Sequence, residues 1–225
     1  MPGPKRASQR GTPEASGENT ARREQMLRAA VEVIVERGYA DTRIADVAER
    51  SGTSPALVIY YFKTRDQLLT EAIRFSEDAW YAENVRRMAE IPTAAGRLAE
   101  LVAMICLPGT DPEPRSWWLL WLDLWALSPR NPGVAAVRQK SDERWRETIR
   151  SIVLAGQEAG EFASVDVDDF AITLSALLDG LAVQIALEDR EVPPQRTYDL
   201  AMRFAGEQLG FDTKSSAKRA GKGGS

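Results

Sequence analysis

Tyr60, Tyr61, Lys63 and Arg65 fall within six residues of one another. Two phenolic hydroxyls and two cations at that spacing suit phosphate oxygens, which take hydrogen bonds and positive charge, better than any bond-making step. A solvated charged turn accounts for Lys63 and Arg65 equally well, and Tyr61 could be core. A second concentration of chemistry lies at Trp117, Trp118, Trp121 and Trp125. At 100° per residue with Trp117 at zero, Trp121 falls at about 40°, Trp125 at about 80° and Trp118 at about 100°, so four indoles share one helix face. Asp123, at about 240°, points the other way. The indole face is either packed core or the wall of an apolar cavity. It could hold a cation over its rings if another helix supplied the neutralising acid.

The rest of the composition argues against catalysis. The 225-residue chain contains no histidine and one cysteine. The absence of histidine removes the commonest general base, the commonest metal ligand and every Ser-His or Cys-His nucleophile pair. No metal-ligand cluster or phosphate-cradling glycine loop replaces it, so no enzyme activity, cofactor or metal is expected. Cys106, between Ile105 and Leu107, is expected to be a small core residue. The net charge of −4 is unevenly placed. Residues 1–65 carry 11 Lys and Arg against 8 Asp and Glu, residues 66–211 carry 14 against 24, and residues 212–225 carry 4 against 1. The basic end is the one that carries the candidate phosphate donors. No apolar run approaches the ~20 residues of a membrane span, and the N-terminus has no apolar stretch of a secretory signal, so a soluble cytoplasmic chain is expected.

The elements that must hold these residues are all helices. Apolar residues recur every three or four positions, and nothing alternates with period two. Helices are predicted over 21–37, 43–51, 55–61, 65–89, 93–107, 115–128, 133–159, 167–189 and 194–210. Gly38 and Gly52 end the first two, Ser54 caps the third with Pro55 at its first position, and Thr64 with Gln67 forms a capping box for the fourth. Two short helices joined by a Gly-containing turn match a helix-turn-helix, whose second helix enters the major groove. Residues 1–19 and 212–225 are too poor in apolar side chains to offset their ordering entropy and are expected to be disordered.

The run Gly38-Tyr39-Ala40-Asp41-Thr42-Arg43-Ile44-Ala45-Asp46-Val47-Ala48, then Gly52-Thr53-Ser54, Tyr60-Tyr61-Phe62-Lys63-Thr64-Arg65 and Leu68-Leu69, closely resembles the DNA-binding module of the TetR family. The resemblance spans about residues 20–69. It implies an all-α fold: a helix-turn-helix domain over 20–65 and a larger ligand-binding and dimerisation domain over 66–211, flanked by the arm 1–19 and the tail 212–225. It implies that Thr42, Arg43, Ser54, Tyr60, Lys63 and Arg65 hold the phosphate backbone, with Thr53, Pro55, Ala56, Leu57 and Tyr60 or Tyr61 at the bases. The chain departs from the family pattern at Pro55, Ala56 and Leu57, at Ile59 where tyrosine is usual, and at Arg65 where lysine is usual. So apolar a reading helix favours thymine-methyl contact and shape readout over bidentate pairing.

Residues 156–181, including Ala159-Gly160-Glu161-Phe162 and Leu178-Asp179-Gly180-Leu181, more loosely resemble the choline-responsive repressor type. The resemblance implies a small-molecule cavity whose wall is assigned to Phe75, Met104, Trp117, Trp118, Trp121 and Trp125. It also implies a homodimer paired through the last two helices, with Leu174, Leu178, Leu181, Ile185, Tyr198 and Phe204 at the interface. The expected function is a repressor released from a palindromic DNA operator by a small apolar, aromatic or cationic inducer.

Overall fold

The computed structural model describes residues 13–107 and 114–213, with the side chains of 13–16 and 114–117 excepted. Nine helices and no strand occur among the described residues: α1 (Pro13–Arg37), α2 (Ile44–Arg50), α3 (Pro55–Phe62), α4 (Arg65–Ala89), α5 (Ala94–Cys106), α6 (Pro114–Leu127), α7 (Pro132–Glu158), α8 (Val167–Ala186) and α9 (Pro194–Leu209). Proline opens α3, α6, α7 and α9, where its missing N–H removes no helical bond. The all-α class and the order of helices agree with the sequence reading. The first helix does not: it begins eight residues earlier, at Pro13, so residues 13–19 of the expected disordered arm are helical. Glu14 and Ala15 favour a helical first turn, and no proline interrupts the run from there to Arg37.

Two buried clusters form the interior. One unites Met26, Ala30, Ile34, Val47, Val58 and Phe62 with Leu68, Leu69 and Ile73 of α4. It is completed by Leu120 and Leu124 of α6 and Val134 and Val137 of α7. The other joins α5, the second half of α7, α8 and α9 through Leu98, Leu101, Val102, Ile149, Val153, Leu174, Leu178 and Leu209. α4 contributes to both clusters, with Met88 in the second. Cys106 lies in the second core, and burial pushes its thiol up to about 11, as befits an inert packing residue.

α8 is long and apolar enough by composition to cross a membrane, contrary to the expectation that no segment approaches that length. One face of this helix is core, with Phe170, Leu174, Leu178 and Leu181 buried, and Asp179 falls between the last two in sequence.

The Gly156–Phe162 segment shows why its residues occur together. Gly160 ends α7 in the left-handed conformation (φ +69°), which returns the chain so that the Phe162 ring lies on Gly156. A Cβ at 156 would stand 2.1 Å from that ring. Phe162 is in turn packed on Phe211, with centroids 5.2 Å apart. Glu161, just before Phe162, accepts the Ala94 and Ala95 N–H groups, both at 3.1 Å, and so caps α5 from across the fold. Replacing Gly156 by Ala should overfill this contact and cost about 1–3 kcal/mol, read as a lower urea midpoint at an unchanged slope.

Candidate nucleic-acid interface and acidic interior

The α1–α2 turn is held from three sides. Gly38 takes φ +83°, and Thr42, fully buried, donates its hydroxyl to the Gly38 carbonyl at 2.8 Å. Arg65, at the start of α4, donates Nε to the Thr42 carbonyl at 2.6 Å and Nη2 to the Ala40 and Tyr39 carbonyls, and its guanidinium lies over the Tyr39 ring. From α6, the Asp123 carboxylate accepts the Tyr39 N–H at 3.0 Å, close enough to Gly38 that a Cβ there would lie 3.1 Å from Oδ2. The Thr42 hydroxyl and Nε and Nη2 of Arg65 thus serve backbone carbonyls, and Nη1 donates to Asp66 at 3.1 Å, so both side chains hold the turn, which counts against the phosphate role expected of them. Asp123, expected only to point away from the indoles, ties α6 to the head.

The next turn is built similarly. Ser51 donates to the Val47 carbonyl at 2.7 Å and shares a hydrogen bond with Thr53, and Gln25 of α1 donates to the Ser51 carbonyl at 3.0 Å. Ser54 accepts the Leu57 N–H at 3.2 Å and caps α3. Arg43 N–H donates to Asp46, which Arg37 also engages at 2.7 Å. α3 joins α4 through Lys63, a non-glycine residue at φ +64°, ψ −53°, where Thr64 N–H reaches the Phe62 carbonyl at 2.7 Å. This is the strained three-residue turn. Thr64 accepts the Gln67 N–H as expected, but its own N–H is engaged in that turn, so only half of the expected capping box forms.

The outer face of α3 carries Pro55, Ala56, Ile59 and Tyr60, the last two 47% and 67% exposed, with Lys63 beyond them. Lys63 Nζ lies over the Tyr60 ring and donates to the Tyr60 carbonyl at 2.6 Å. Leu57 and Tyr61, expected at the bases, pack partly buried against the head core. Sequence reasoning missed Ile59 as part of this face because it was weighed only as a departure from a tyrosine. The outward stripe at 56, 59, 60 and 63 could have shown it.

The expected ligand wall is divided. Trp121 and Trp125 meet at 6.3 Å, and Trp118 is partly buried, whereas the Trp117 side chain lies outside the described residues. Phe75 and Trp121 pack on the head core, Arg28 stacks on Phe75, and Met104 packs on the other core, so Phe75 and Met104 do not belong to one wall. α6 faces the head with Leu120, Leu124 and Asp123 and with one indole, Trp121, and it is not buried all round, since Leu119 is 43% exposed. The interface assignment is also corrected at Leu174, Leu178 and Leu181, which the chain's own core already covers. Phe204 stacks on Phe170 at 6.0 Å within the chain. Ile185 and Tyr198 remain partly exposed, and the open face of α8 carries Ile172, Ala176 and Gly180, with exposed Leu187 just past its end.

A second aromatic group, not singled out in the sequence, lies on α4 and α7. Trp80 meets Tyr81 at 5.0 Å and Trp145 at 6.3 Å, and Arg144 lies 3.8 Å over the Tyr81 ring. Three partly buried carboxylates accompany it. Burial raises Glu77 against the pull of Ser141 and Arg144, and burial raises Asp142 against Arg138 and Arg146. Asp179 of α8 is pushed up to about 6, first by burial and then by Asp142, with Arg146 and Arg138 opposing. Burial and then Glu77 raise Tyr81 above the usual phenol range. Asp142 forms an ion pair with Arg138, and Glu77 takes a hydrogen bond from Ser141. No group of three carboxylates is gathered closely enough for a metal ion among the described residues.

A bihelical reading unit on an all-helical body defines a DNA-binding transcriptional regulator rather than an enzyme. The chain matches the model of bacterial regulatory proteins of the tetR family over residues 26–72 and that of the BetI-type transcriptional repressor C-terminal region over residues 94–210. The HTH-type transcriptional regulator BetI of Escherichia coli K12 is 26% identical over 201 residues, covering 87% of this chain and 98% of that protein. A transcriptional regulator from Saccharomonospora viridis, solved in complex with choline, is 31% identical with TM-score 0.75 and covers 84% of this chain and 98% of its own. A TetR-family regulator from Rhodococcus sp. is 26% identical with TM-score 0.72, covering 84% and 99%. The chain belongs to the TetR family of transcriptional regulators, and within it to the BetI-like repressors.

Removing the α6 anchor tests the head's dependence on the body. Asp123→Ala should cost about 1.5–3 kcal/mol, the range for a hydrogen bond to a charged group, and should speed hydrogen exchange at the Tyr39 amide.

Proposed function

We propose that this regulator is a homodimeric repressor that seats α3 of each protomer in the major groove of a palindromic operator and leaves it when a small organic cation enters between α4, α7 and α8. The observation that carries the ligand reading is the group of partly buried carboxylates, Glu77, Asp142 and Asp179, beside Trp80, Tyr81 and Trp145. Aromatic faces attract cations, and a permanent cation would offset the desolvated negative charge without a hydrogen-bond donor of its own. The choline held by the Saccharomonospora viridis relative supports this class of ligand. Trp118, Trp121 and Trp125 remain a candidate apolar wall. Pairing through α8 and α9 is proposed over Ile172, Ala176, Gly180, Ile185 and Tyr198, where small residues allow a partner helix to approach. The proposed units are the head to about residue 65 and the body to about 211, and the proposed location is the cytoplasm, where the DNA lies.

DNA contact is assigned to Arg43, Thr53, Pro55, Ala56, Ile59, Tyr60 and Lys63, with Ser54 holding the α3 N-terminus. Selection of bound DNA from a random pool at physiological salt should recover a palindrome, and failure to enrich any sequence would overturn the specific-regulator reading. On that operator, Lys63→Gly should weaken binding and flatten the slope of log affinity against log salt by about 0.9, since one phosphate contact is lost. The same substitution should leave the fold at least as stable, because glycine relieves the positive φ at 63.

Choline, whose charge does not change with pH, is a clean probe of the acidic interior. A cation stabilises ionised Asp179, so its binding should release the proton that holds Asp179 neutral below about pH 6. Calorimetric affinity should therefore fall about tenfold between pH 7.5 and pH 5. Asp179→Asn should bind more weakly and lose this pH dependence. Equal affinity of wild type and variant at both pH values would remove Asp179 from the site.

A further inference from the structure

The exposed face of α3 is short of hydrogen-bonding groups for base edges. The Thr53 hydroxyl is bonded to Ser51, the Ser54 hydroxyl is held at the helix N-terminus by accepting the Leu57 N–H, and Lys63, folded back onto the Tyr60 carbonyl and ring, lies beyond the second turn. What remains outward over the first two turns is carbon: Pro55, Ala56 and the 47% exposed side chain of Ile59. Ala56 and Ile59 are three residues apart on one stripe, with Tyr60 and its hydroxyl alongside. The head core cannot claim Ile59, since Val58 and Phe62 fill the inward side of the same helix.

We infer that Ile59, flanked by Ala56 and Pro55, selects operator bases by contact with thymine 5-methyl groups. The inference rests on α3 being the DNA-reading helix. Among the base edges in the major groove, only thymine presents a methyl group; the others present donors and acceptors. An isoleucine seated against those polar edges strips their water and returns no hydrogen bond, which is unfavourable, whereas against a methyl it removes apolar surface from water on both sides. One side chain thus both favours thymine and disfavours the other bases. Because no charge is involved, this discrimination does not depend on counterion release.

The test uses the full-length protein and the operator recovered from the random pool, with each thymine of one half-site replaced in turn by deoxyuridine, which lacks only the methyl. At one or two positions the wild type should lose about fourfold in affinity, the worth of one buried methyl-sized group. Ile59→Ala should bind the unmodified operator more weakly, at an unchanged salt slope, and should not distinguish thymine from uridine at those positions. The inference is overturned if every uridine operator binds within twofold of the original, or if uridine costs the same for both proteins. Ile59 is on the surface, so the variant should keep the wild-type urea midpoint; if it does not fold, the uridine series on the wild type decides alone. Failure of the pool to yield any preferred sequence would instead overturn α3 as the reading helix.

Discussion

Three carbonyls of one turn, those of Tyr39, Ala40 and Thr42, converge on the guanidinium of Arg65. Backbone acceptors withdrawn from water must be paired, and a planar donor that is always charged can serve several of them together. Much of the head follows from this. The turn fixes the angle between α1 and α2, and the same arginine opens α4, so the path of α4 is registered against that turn. Asp123 holds the Tyr39 N–H of the turn from the other side. Polar contacts to backbone thus set the turn, while α3 packs on the head through Val58 and Phe62 and keeps Ala56, Ile59 and Tyr60 on the outer surface.

The body is organised differently. Its core is aliphatic and closely packed around α8, yet on the α4 and α7 side it accepts Glu77, Asp142 and Asp179 at a desolvation cost that Arg138 and Arg146 offset only in part. Stability alone would favour apolar residues at these positions. Carboxylates kept at such a cost beside aromatic rings are the kind of feature from which a binding role is inferred. The head and body thus place their strained or costly features, the turn at Lys63 and the acids of the interior, at the proposed DNA face and the proposed ligand site.

The helix order and most boundaries were legible in the sequence because each depends on local signals: Ser54 before Pro55, Thr64 before α4, Gly160 after α7. The α3–α4 region was legible for the same reason, together with its likeness to a known module. What was not legible depends on partners far along the chain. Thr42 and Arg65 carry the right chemistry for phosphate, but only tertiary structure shows their donors engaged by carbonyls. Leu174 and Leu178 share a helical stripe with the partly exposed Ile185, and periodicity cannot tell which of two neighbouring faces the chain covers itself. Asp123 reads as a stray acid in an indole-rich helix until Tyr39, 84 positions earlier, is brought beside it. The acids of α4, α7 and α8 are too far apart in sequence to be seen as one group.

Leu120 and Leu124 close the head core from α6, and Val134 and Val137 close it from α7. A graft that moved only the first 65 residues onto another regulator's body would expose the underside of this core and leave the Tyr39 N–H without its acceptor. The unit of exchange is therefore discontinuous: the first three helices and the start of α4 travel with a patch of α6 and the start of α7. Recombination among such regulators would be expected to preserve that patch with the head, and engineered chimaeras should be cut accordingly.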